Sequence, residues 1–424
     1  MRENPQLFVA IIASILFVID IYAFKGVRLL ISDINNDWVR RGIIVFYWSI
    51  SLFIFGFIVY IIANFYGIRN PNQEAYFLVF STFLFLTFVP KLFFVIFHLI
   101  EDISFVIYYV GNKLFSNPDK GVIDGERINR IQFITKTGAL LALIPFSSLA
   151  YGILKGKYDF RVLSEKLLFS NLPKAFHGLK IVQISDLHIG SFNNNYGAVK
   201  KGIAMVNDLN PDIIFFTGDL VNNFAEETDG WEEILGSLKA KYGKYSILGN
   251  HDYSDYIPWD SLELKKKNLE KLINFHKKIG FRLLLNESEK IKIDNDYFTI
   301  IGIENWGKGN FSKYGDLNKA MQEVDNGSFK ILLSHDPSHW DAQVLSQTNI
   351  DLTLSGHTHG MQFGISLGSF KYSPSQHRYP RWGGLYSEAN QFLYVNRGFG
   401  FIGFPGRVGM PPEITLLELE SQQA

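Results

Sequence analysis

The sequence predicts two fold classes joined end to end: an N-terminal α-helical transmembrane bundle and a C-terminal α/β domain. Three observations carry this. Before residue 155 the chain is apolar in long, nearly unbroken stretches, each about long enough to cross a hydrocarbon core of roughly 30 Å as a helix. After residue 179, short runs rich in Ile, Leu, Val and Phe alternate with helix-period patterns, which argues α/β layering. Five of those runs each end in a short motif of Asp, His, Asn and Gly. In open α/β sheets ligands gather at the carboxyl ends of strands, so scattered motifs can converge there.

The 424 residues suggest two or three domains, and the composition is lopsided: aromatics reach 15% while charged residues are only 19%. The apolar excess lies in Leu7 to Phe24, Ile43 to Phe65, Tyr76 to Ile100 and Gly138 to Leu154. A buried core helix explains any one of these. Three or four in succession, with Tyr and Trp near their ends, fit a membrane region of three to four helices over residues 1–155. The last stretch is short and carries Pro145.

Lys25, Arg28, Arg40 and Arg41 fill the first connection, and Lys113, Lys120, Arg127, Arg130 and Lys136 the third, while the second has only Arg69. The excess of basic residues puts the first and third connections in the cytoplasm, and the residues after Gly156 outside. Lys155, Lys157 and Arg161 oppose that orientation, but long domains translocate largely regardless of charge. Asp20, Lys91 and His98 fall at membrane depth; Asp20 and Lys91 either pair or each snorkel to an interface. Glu101 to Phe115 reads as an amphipathic helix along the cytoplasmic surface.

Residues 156–178 read as a linker, leaving 179–424 as the soluble domain. Within it, Ala198 to Asn207, Glu232 to Lys239 and Leu262 to Ile279 follow the helical period. Phe298 to Ile303, Phe392 to Asn396 and Ile414 to Leu419 read as strands. Net charge is zero, so no general attraction to nucleic acid is implied. The absence of cysteine excludes disulfides and thiolate metal ligands.

The motifs are Asp186-Leu187-His188, Gly218-Asp219, Gly249-Asn250-His251, His335 and Gly356-His357-Thr358-His359. They follow the runs Ile181 to Ile184, Ile213 to Phe216, Tyr245 to Leu248, Ile331 to Leu333 and Leu352 to Leu354. Carboxylate and imidazole suit a divalent transition ion such as Mn, Fe or Zn rather than Ca, and Asn adds a neutral oxygen. Two such ions roughly 3.5–4 Å apart can share a hydroxide and clamp the attacking and leaving oxygens of a phosphoryl centre. Sharing requires a bridging carboxylate, and Asp219 stands alone in its motif. The two-residue spacing of Asp186 and His188, and of His357 and His359, lets both side chains point one way from an extended segment. Gly218, Gly249 and Gly356 permit a sharp turn or a close approach just before a ligand. Gly-Asp and Asn-His pairs also occur in ordinary turns, and a lone His such as His177 or His377 is commonly a surface residue. All five blocks in order are a different matter.

In that order, with Asp252 completing Gly249-Asn250-His251-Asp252, the motifs resemble the calcineurin-like metallophosphoesterases, from about Leu179 to the C-terminus. The resemblance implies a sandwich of two mixed sheets flanked by helices. It implies that Asp186, His188 and His359 hold one metal and Asn250, His335 and His357 the other, with Asp219 between. His251 is then the non-ligand catalytic histidine. Asn396-Arg397-Gly398-Phe399-Gly400 and Pro411-Pro412-Glu413-Ile414 resemble a membrane-associated bacterial branch, some of which hydrolyse the pyrophosphate of UDP-diacylglucosamine. Gly360-Met361-Gln362 departs from that branch, which often has a second glycine there.

Arg397 suits a substrate phosphate, with glycine beside it, or equally a structural pair with an acidic neighbour. The loop Gly364 to Trp382 carries Phe370, Lys371, Tyr372, Arg378, Tyr379, Arg381 and Trp382, and either contacts an anionic headgroup or covers the site. The expectation is a membrane-anchored phosphoesterase acting on a phosphodiester or pyrophosphate, with a phosphorylated or lipid-linked small molecule as substrate. The alternatives are an extracytoplasmic phosphatase or nucleotidase on soluble substrates, and a non-catalytic membrane sensor.

Overall fold

The computed structural model describes residues 5–63, 71–115, 124–193, 195–309, 311–367 and 370–423. The chain divides into two compact units, one of residues 1–66 and 79–151, the other of 67–78 and 152–424.

The first unit is built from α1 (Pro5–Leu30), α2 (Asp37–Ala63) and most of α3 (Pro71–Phe115) and α4 (Asp124–Leu154), whose residues 71–78 and 152–154 belong to the second. Each provides a span long and apolar enough to cross a membrane, the fourth included: Val9–Leu30, Asp37–Ile61, Gln73–Gly111 and Arg130–Tyr158. Ile54, Ile58, Phe80 and Phe88 form a buried cluster between them. Pro90 and Pro145 lie inside α3 and α4 without ending them, as membrane helices tolerate. Two expectations change here. Glu101 to Phe115 is not a separate surface helix but the continuation of α3, because neither Gly nor Pro interrupts the run after Pro90 until Gly111. The basic residues expected in the connections lie in the ends of the flanking helices: Lys25 and Arg28 in α1, Arg40 and Arg41 in α2, Lys113 in α3, Arg130 and Lys136 in α4. Arg69, Lys120, residues 64 and 65 and the side chain of Arg127 lie outside the described residues. Of the two readings of Asp20 and Lys91, the structure has the pair: Lys91 Nζ lies 2.5 Å from Asp20 Oδ1, and the Tyr47 hydroxyl donates to the Asp20 carbonyl at 2.7 Å.

The second unit is a two-sheet sandwich. Its elements in order are β1 (Arg161–Phe169), β2 (Leu179–Ile184), α5 (Tyr196–Asp208), β3 (Ile213–Phe216), α6 (Glu232–Gly236), β4 (Lys244–Ser246), α7 (Leu262–Lys278) and β5 (Arg282–Leu283). Then come β6 (Glu287–Ile293), β7 (Asp296–Gly302), α8 (Leu317–Ala320), β8 (Lys330–Leu333), β9 (Leu352–Ser355), β10 (Ile365–Leu367) and β11 (Phe370–Tyr372). Last are β12 (Gly384–Glu388), β13 (Gln391–Val395) and β14 (Glu413–Ser421). One sheet has the order β1-β14-β2-β3-β4-β5 and the other β12-β13-β9-β8-β7-β6; β10 and β11 form a separate hairpin.

Both sheets are mixed. Strands β2 to β5 run parallel, as do β13, β9, β8 and β7, while β14 is antiparallel to β2 and the edge strands β12 and β6 are antiparallel to their neighbours. Parallel strands buried on both faces read as continuous apolar runs, which is why these were visible. Alternate residues divide between layers. Ile181 and Phe215 enter the core between the sheets with Phe298, Ile331 and Leu352. Val182 and Ile184 face α5, α6 and α7 through Val199, Leu235 and Leu272. The outer face of the second sheet is covered by Leu317 and Ala320 of α8 and by Trp340 and Val344.

Part of the expected linker is strand. Residues Arg161 to Phe169 pair in parallel with β14, from Arg161 opposite Glu413 to Phe169 opposite Ser421. Only Leu167 and Phe169 of this edge strand are buried, so Ser164, Glu165 and Lys166 make its sequence look like loop.

Candidate metal centre

Every motif follows the carboxyl end of a parallel strand: β2 leads to Asp186 and His188, β3 to Asp219, β4 to Asn250 and His251, β8 to His335, and β9 to His357 and His359. The local conformation differs from the extended one expected. Asp186, His188, Asp219, His357 and His359 all have left-handed backbone, with φ between +45° and +72°. For non-glycine residues this costs on the order of 1–2 kcal/mol each, and such strain clusters where a site dictates the conformation. Close approach adds a second constraint. At Gly218 (φ +95°) a side chain would meet the Gly249 backbone, and at Gly356 it would meet Ser185 and Asp186.

The side chains form two adjoining groups, Asp186 with His188 and His359, and Asp219 with His335 and His357; within each, the candidate ligand atoms lie within 4.8 Å of one another. In the first, His359 Nε2 is 3.1 Å from His188 Nε2 and 3.3 Å from Asp186 Oδ1. In the second, Asn250 Oδ1 lies 3.1 Å from His335 Nε2 and 2.7 Å from His357 Nδ1. Asp219 Oδ2 faces both groups, 3.2 Å from His335 Nε2 and 3.5 Å from His188 Nε2.

The electrostatics ask for a cation. Burial alone would raise the Asp186 and Asp219 carboxyls, yet the imidazoles around them hold both below the usual carboxylate range, led by His359 for Asp186 and His335 for Asp219. Burial pushes His188 well down and His357 to about 4, whereas at His335 burial is outweighed by Asp219, Asp186 and the Thr217 carbonyl together, which lift it to about 10. Among the described residues the ion-pair partners of these two buried carboxylates are imidazoles, not Lys or Arg. Carboxylate, imidazole and amide oxygen converging without a lysine fit divalent transition ions.

The supporting contacts orient the rings, as in metal sites generally. His335 Nδ1 lies 2.7 Å from the Thr217 carbonyl and His357 Nε2 lies 2.8 Å from the Tyr379 hydroxyl. Asp252, to which the sequence assigned no role, accepts from the backbone N–H groups of Gly249, Asp219 and Leu220 at 2.8, 2.9 and 2.8 Å. It thereby ties the β3 and β4 loops together. Burial and then Asp219 push its carboxyl up to about 7. His251 is half-buried, its Nδ1 2.7 Å from the Asn222 carbonyl and its backbone N–H donating to Asp219 Oδ1 at 2.9 Å. That carbonyl holds the proton on Nδ1 when the ring is neutral. Its ring stands edge-on to His188 at 5.0 Å.

Arg397 has an acidic neighbour in β14. It is buried, and its Nε donates to Glu413 Oε2 at 2.5 Å, the structural pairing that the sequence left open. Arg397→Met is expected to lose about 3–5 kcal/mol, the usual cost of orphaning a buried charge, with thermal stability and activity falling together. A raised KM at an unchanged melting temperature would restore the substrate role.

No pattern in the sequence pointed to Arg407, which follows Pro405-Gly406. It is fully buried, donating to the carbonyls of Gly400 (2.7 Å) and Arg397 (2.9 Å), with Nη2 3.1 Å from His359 Nδ1. Burial lowers its guanidinium to about 9 while Asp186 works against that. The aromatic loop divides its roles: Tyr379 and Trp382 are buried beside the site, while Phe370, Lys371 and Tyr372 are exposed. Met361, where a glycine was expected, has φ +49° and is exposed, so its side chain costs backbone strain without filling the core.

A two-sheet α/β sandwich with paired Asp/His/Asn groups at its strand ends, following four membrane-length helices, defines a membrane protein with a metallophosphoesterase domain. Residues 179–361 match the family model described as "Calcineurin-like phosphoesterase", and residues 3–157 match "Probable Calcineurin-like phosphoesterase, transmembrane domain". The chain belongs to the calcineurin-like phosphoesterase family. It is 32% identical over 290 residues to "Transmembrane protein with metallophosphoesterase domain" from Danio rerio, an alignment covering 66% of this chain and 62% of that one. The chain therefore spans less than two thirds of that relative. It is 31% identical to "UDP-2,3-diacylglucosamine pyrophosphatase LpxG" from Chlamydia trachomatis, over 58% of this chain and 86% of that one. "Uncharacterized metallophosphoesterase YkuE" from Bacillus subtilis is 30% identical, over 59% and 82%.

Proposed function

We propose that this chain is a membrane-anchored, metal-dependent phosphoesterase that hydrolyses a phosphodiester or pyrophosphate bond in a lipid-linked substrate. The observation carrying this is the convergence of seven ligand-type side chains in two groups, with Asp219 Oδ2 facing both and His251 beside them. In this reading Asp186, His188 and His359 would hold one ion, Asn250, His335 and His357 the other, and Asp219 would serve both. Two bound divalent ions (Mn, Fe or Zn) supply Lewis acidity toward phosphoryl oxygens and lower the pKa of water. His251, its Nδ1–H tied to the Asn222 carbonyl, presents Nε2 and, as the imidazolium, gives the Nε2 proton to the leaving oxygen, leaving the neutral ring. Support for a lipid-linked substrate comes from the four membrane-length helices and the relative named as a UDP-2,3-diacylglucosamine pyrophosphatase.

The test is a panel of monoesters, diesters, nucleotides and lipid pyrophosphates in detergent, using the purified full chain with elemental analysis. Turnover of the lipid pyrophosphate or a diester, abolished by chelation and restored by metal with about two ions bound, is expected. Turnover confined to soluble monoesters or nucleotides would make it a general phosphatase. No turnover with ions bound would leave a sensor.

The same reading is of a multi-pass protein with its phosphoesterase domain outside the cytoplasm. Supporting it are the basic helix ends that flank the first and third connections and the contact of Glu74, at the start of α3, with Asn222 and Asn223, which needs both on one membrane side. A C-terminal reporter active only in the cytoplasm would reverse the orientation.

A further inference from the structure

The opening residues of α3, 71–78, belong to the same compact unit as the phosphoesterase domain. From this segment Glu74, in the first turn of α3, is buried against the loop that follows Asp219. Its two carboxylate oxygens accept from two side-chain amides, Asn222 Nδ2 at 2.9 Å and Asn223 Nδ2 at 2.6 Å. The carbonyl of that same Asn222 is what holds His251 Nδ1 at 2.7 Å.

The loop already has an anchor of its own. Glu227 accepts from the backbone N–H groups of Asn222, Asn223 and Phe224 at 2.7, 2.9 and 2.7 Å. Glu74 therefore adds a second buried carboxylate beside the first, and burial followed by Glu74 pushes the Glu227 carboxyl up to about 8. Burying one carboxylate is costly and burying two together more so, and apolar packing would hold a loop at lower cost. What apolar packing would lack is direction. Two charge-assisted bonds to adjacent amides fix the rotation of the Asn222–Asn223 peptide segment, and with it the aim of the Asn222 carbonyl.

We propose that Glu74 is a positioning residue for His251: by clamping Asn222 and Asn223 it sets the carbonyl that orients the imidazole. This rests on the reading of His251 as proton donor to the leaving oxygen. In that step the P–O bond breaks as the new P–O bond forms, the Nε2 proton passes to the departing oxygen, and the ring is left neutral. Tilting the ring weakens proton delivery while leaving the seven ligand-type residues in place, none of which Glu74 contacts among its described partners.

The experiment uses the full chain loaded with Mn, and phosphodiesters whose leaving groups run from 4-nitrophenol to an alkanol. The variants are Glu74→Gln, Glu74→Ala, His251→Ala and the double variant Glu74→Gln/His251→Ala. Glu74→Gln keeps the shape and one acceptor but turns an amide toward the other amide. It is expected to lose about tenfold on the alkyl ester, a part of the 10²–10⁴ that a positioned acid supplies, and less than about twofold on the nitrophenyl ester. Glu74→Ala should lose more, with metal content unchanged. In the His251→Ala background the Glu74 change should cost nothing further, the non-additivity of residues acting as a unit.

A uniform loss across the series, a loss that adds fully to that of His251→Ala, or no loss at all would each overturn the positioning role. Should Glu74→Ala not fold, the Glu74→Gln series and its double variant carry the test alone. His251→Ala separates the two levels. If its own loss is independent of leaving group, the proton-donor reading fails. If its loss depends steeply on leaving group while that of Glu74→Gln does not, only the present inference fails.

Discussion

Asp219→Ala is expected to empty both metal positions and abolish turnover. Among the described residues its Oδ2 is the one carboxylate oxygen within 3.5 Å of ring nitrogens from both groups, His188 on one side and His335 on the other. Any other ligand belongs to one group, so its loss leaves a partial site; loss of Asp219 removes a charge from each. Metal affinity depends on the full ligand count, and two ions held close together need the negative charge between them. The fold should survive. The Asp219 and Leu220 N–H groups remain tied to Asp252, and the metal-free protein loses a costly buried carboxylate along with its ion pairs. Elemental analysis of Asp219→Ala after metal loading, beside the melting temperature of the metal-free protein, checks this. An ion content still near two per chain would refute the shared-carboxylate reading.

The legibility of this chain follows the physics of each part. Apolar helices and doubly buried parallel strands write themselves as continuous hydrophobic runs, so α1 to α4 and β2, β3, β8 and β9 were visible directly. The ligand-type residues were visible because each closes such a run. Their backbone was not: two-residue spacing suggests an extended segment, but the left-handed φ of Asp186, His188, His357 and His359 is set by the loops around them. Edge strand β1 was hidden because one face is solvated and only two of its side chains are buried. Arg407, Asp252 and Glu74 were hidden for a different reason. Each works through backbone carbonyls, backbone N–H groups or distant amides, which leave no pattern along the sequence. Glu74 is 148 residues from Asn222, and only folding brings them together. Arg397 was legible as two alternatives, a phosphate fork or a structural pair, and the acidic partner that the second needs, Glu413, is supplied from β14.

His251→Ala should behave unlike any ligand variant. The ring touches the site without joining either group of candidate ligands: its Nδ1 faces the Asn222 carbonyl and its face meets Tyr256 at 4.8 Å. Its backbone N–H, which the substitution keeps, makes the hydrogen bond to Asp219 Oδ1. Ion content should therefore stay at the level of the unaltered protein, and thermal stability should change little beyond the loss of one hydrogen bond of about 0.5–1.5 kcal/mol. Turnover should fall by about 10²–10⁴, the usual contribution of a positioned general acid. The loss should contract on a nitrophenyl ester, because nitrophenolate leaves with little need of a proton, and be largest on an alkyl ester or the natural substrate. Ligand variants such as His335→Ala should instead lose ions and fail on both substrates alike. Comparing kcat on the two esters with ion content on the same preparations decides between the roles. If His251→Ala loses its ions as completely as Asp219→Ala, or is impaired equally on both esters, the histidine is a ligand or a scaffold and the leaving oxygen takes its proton from elsewhere.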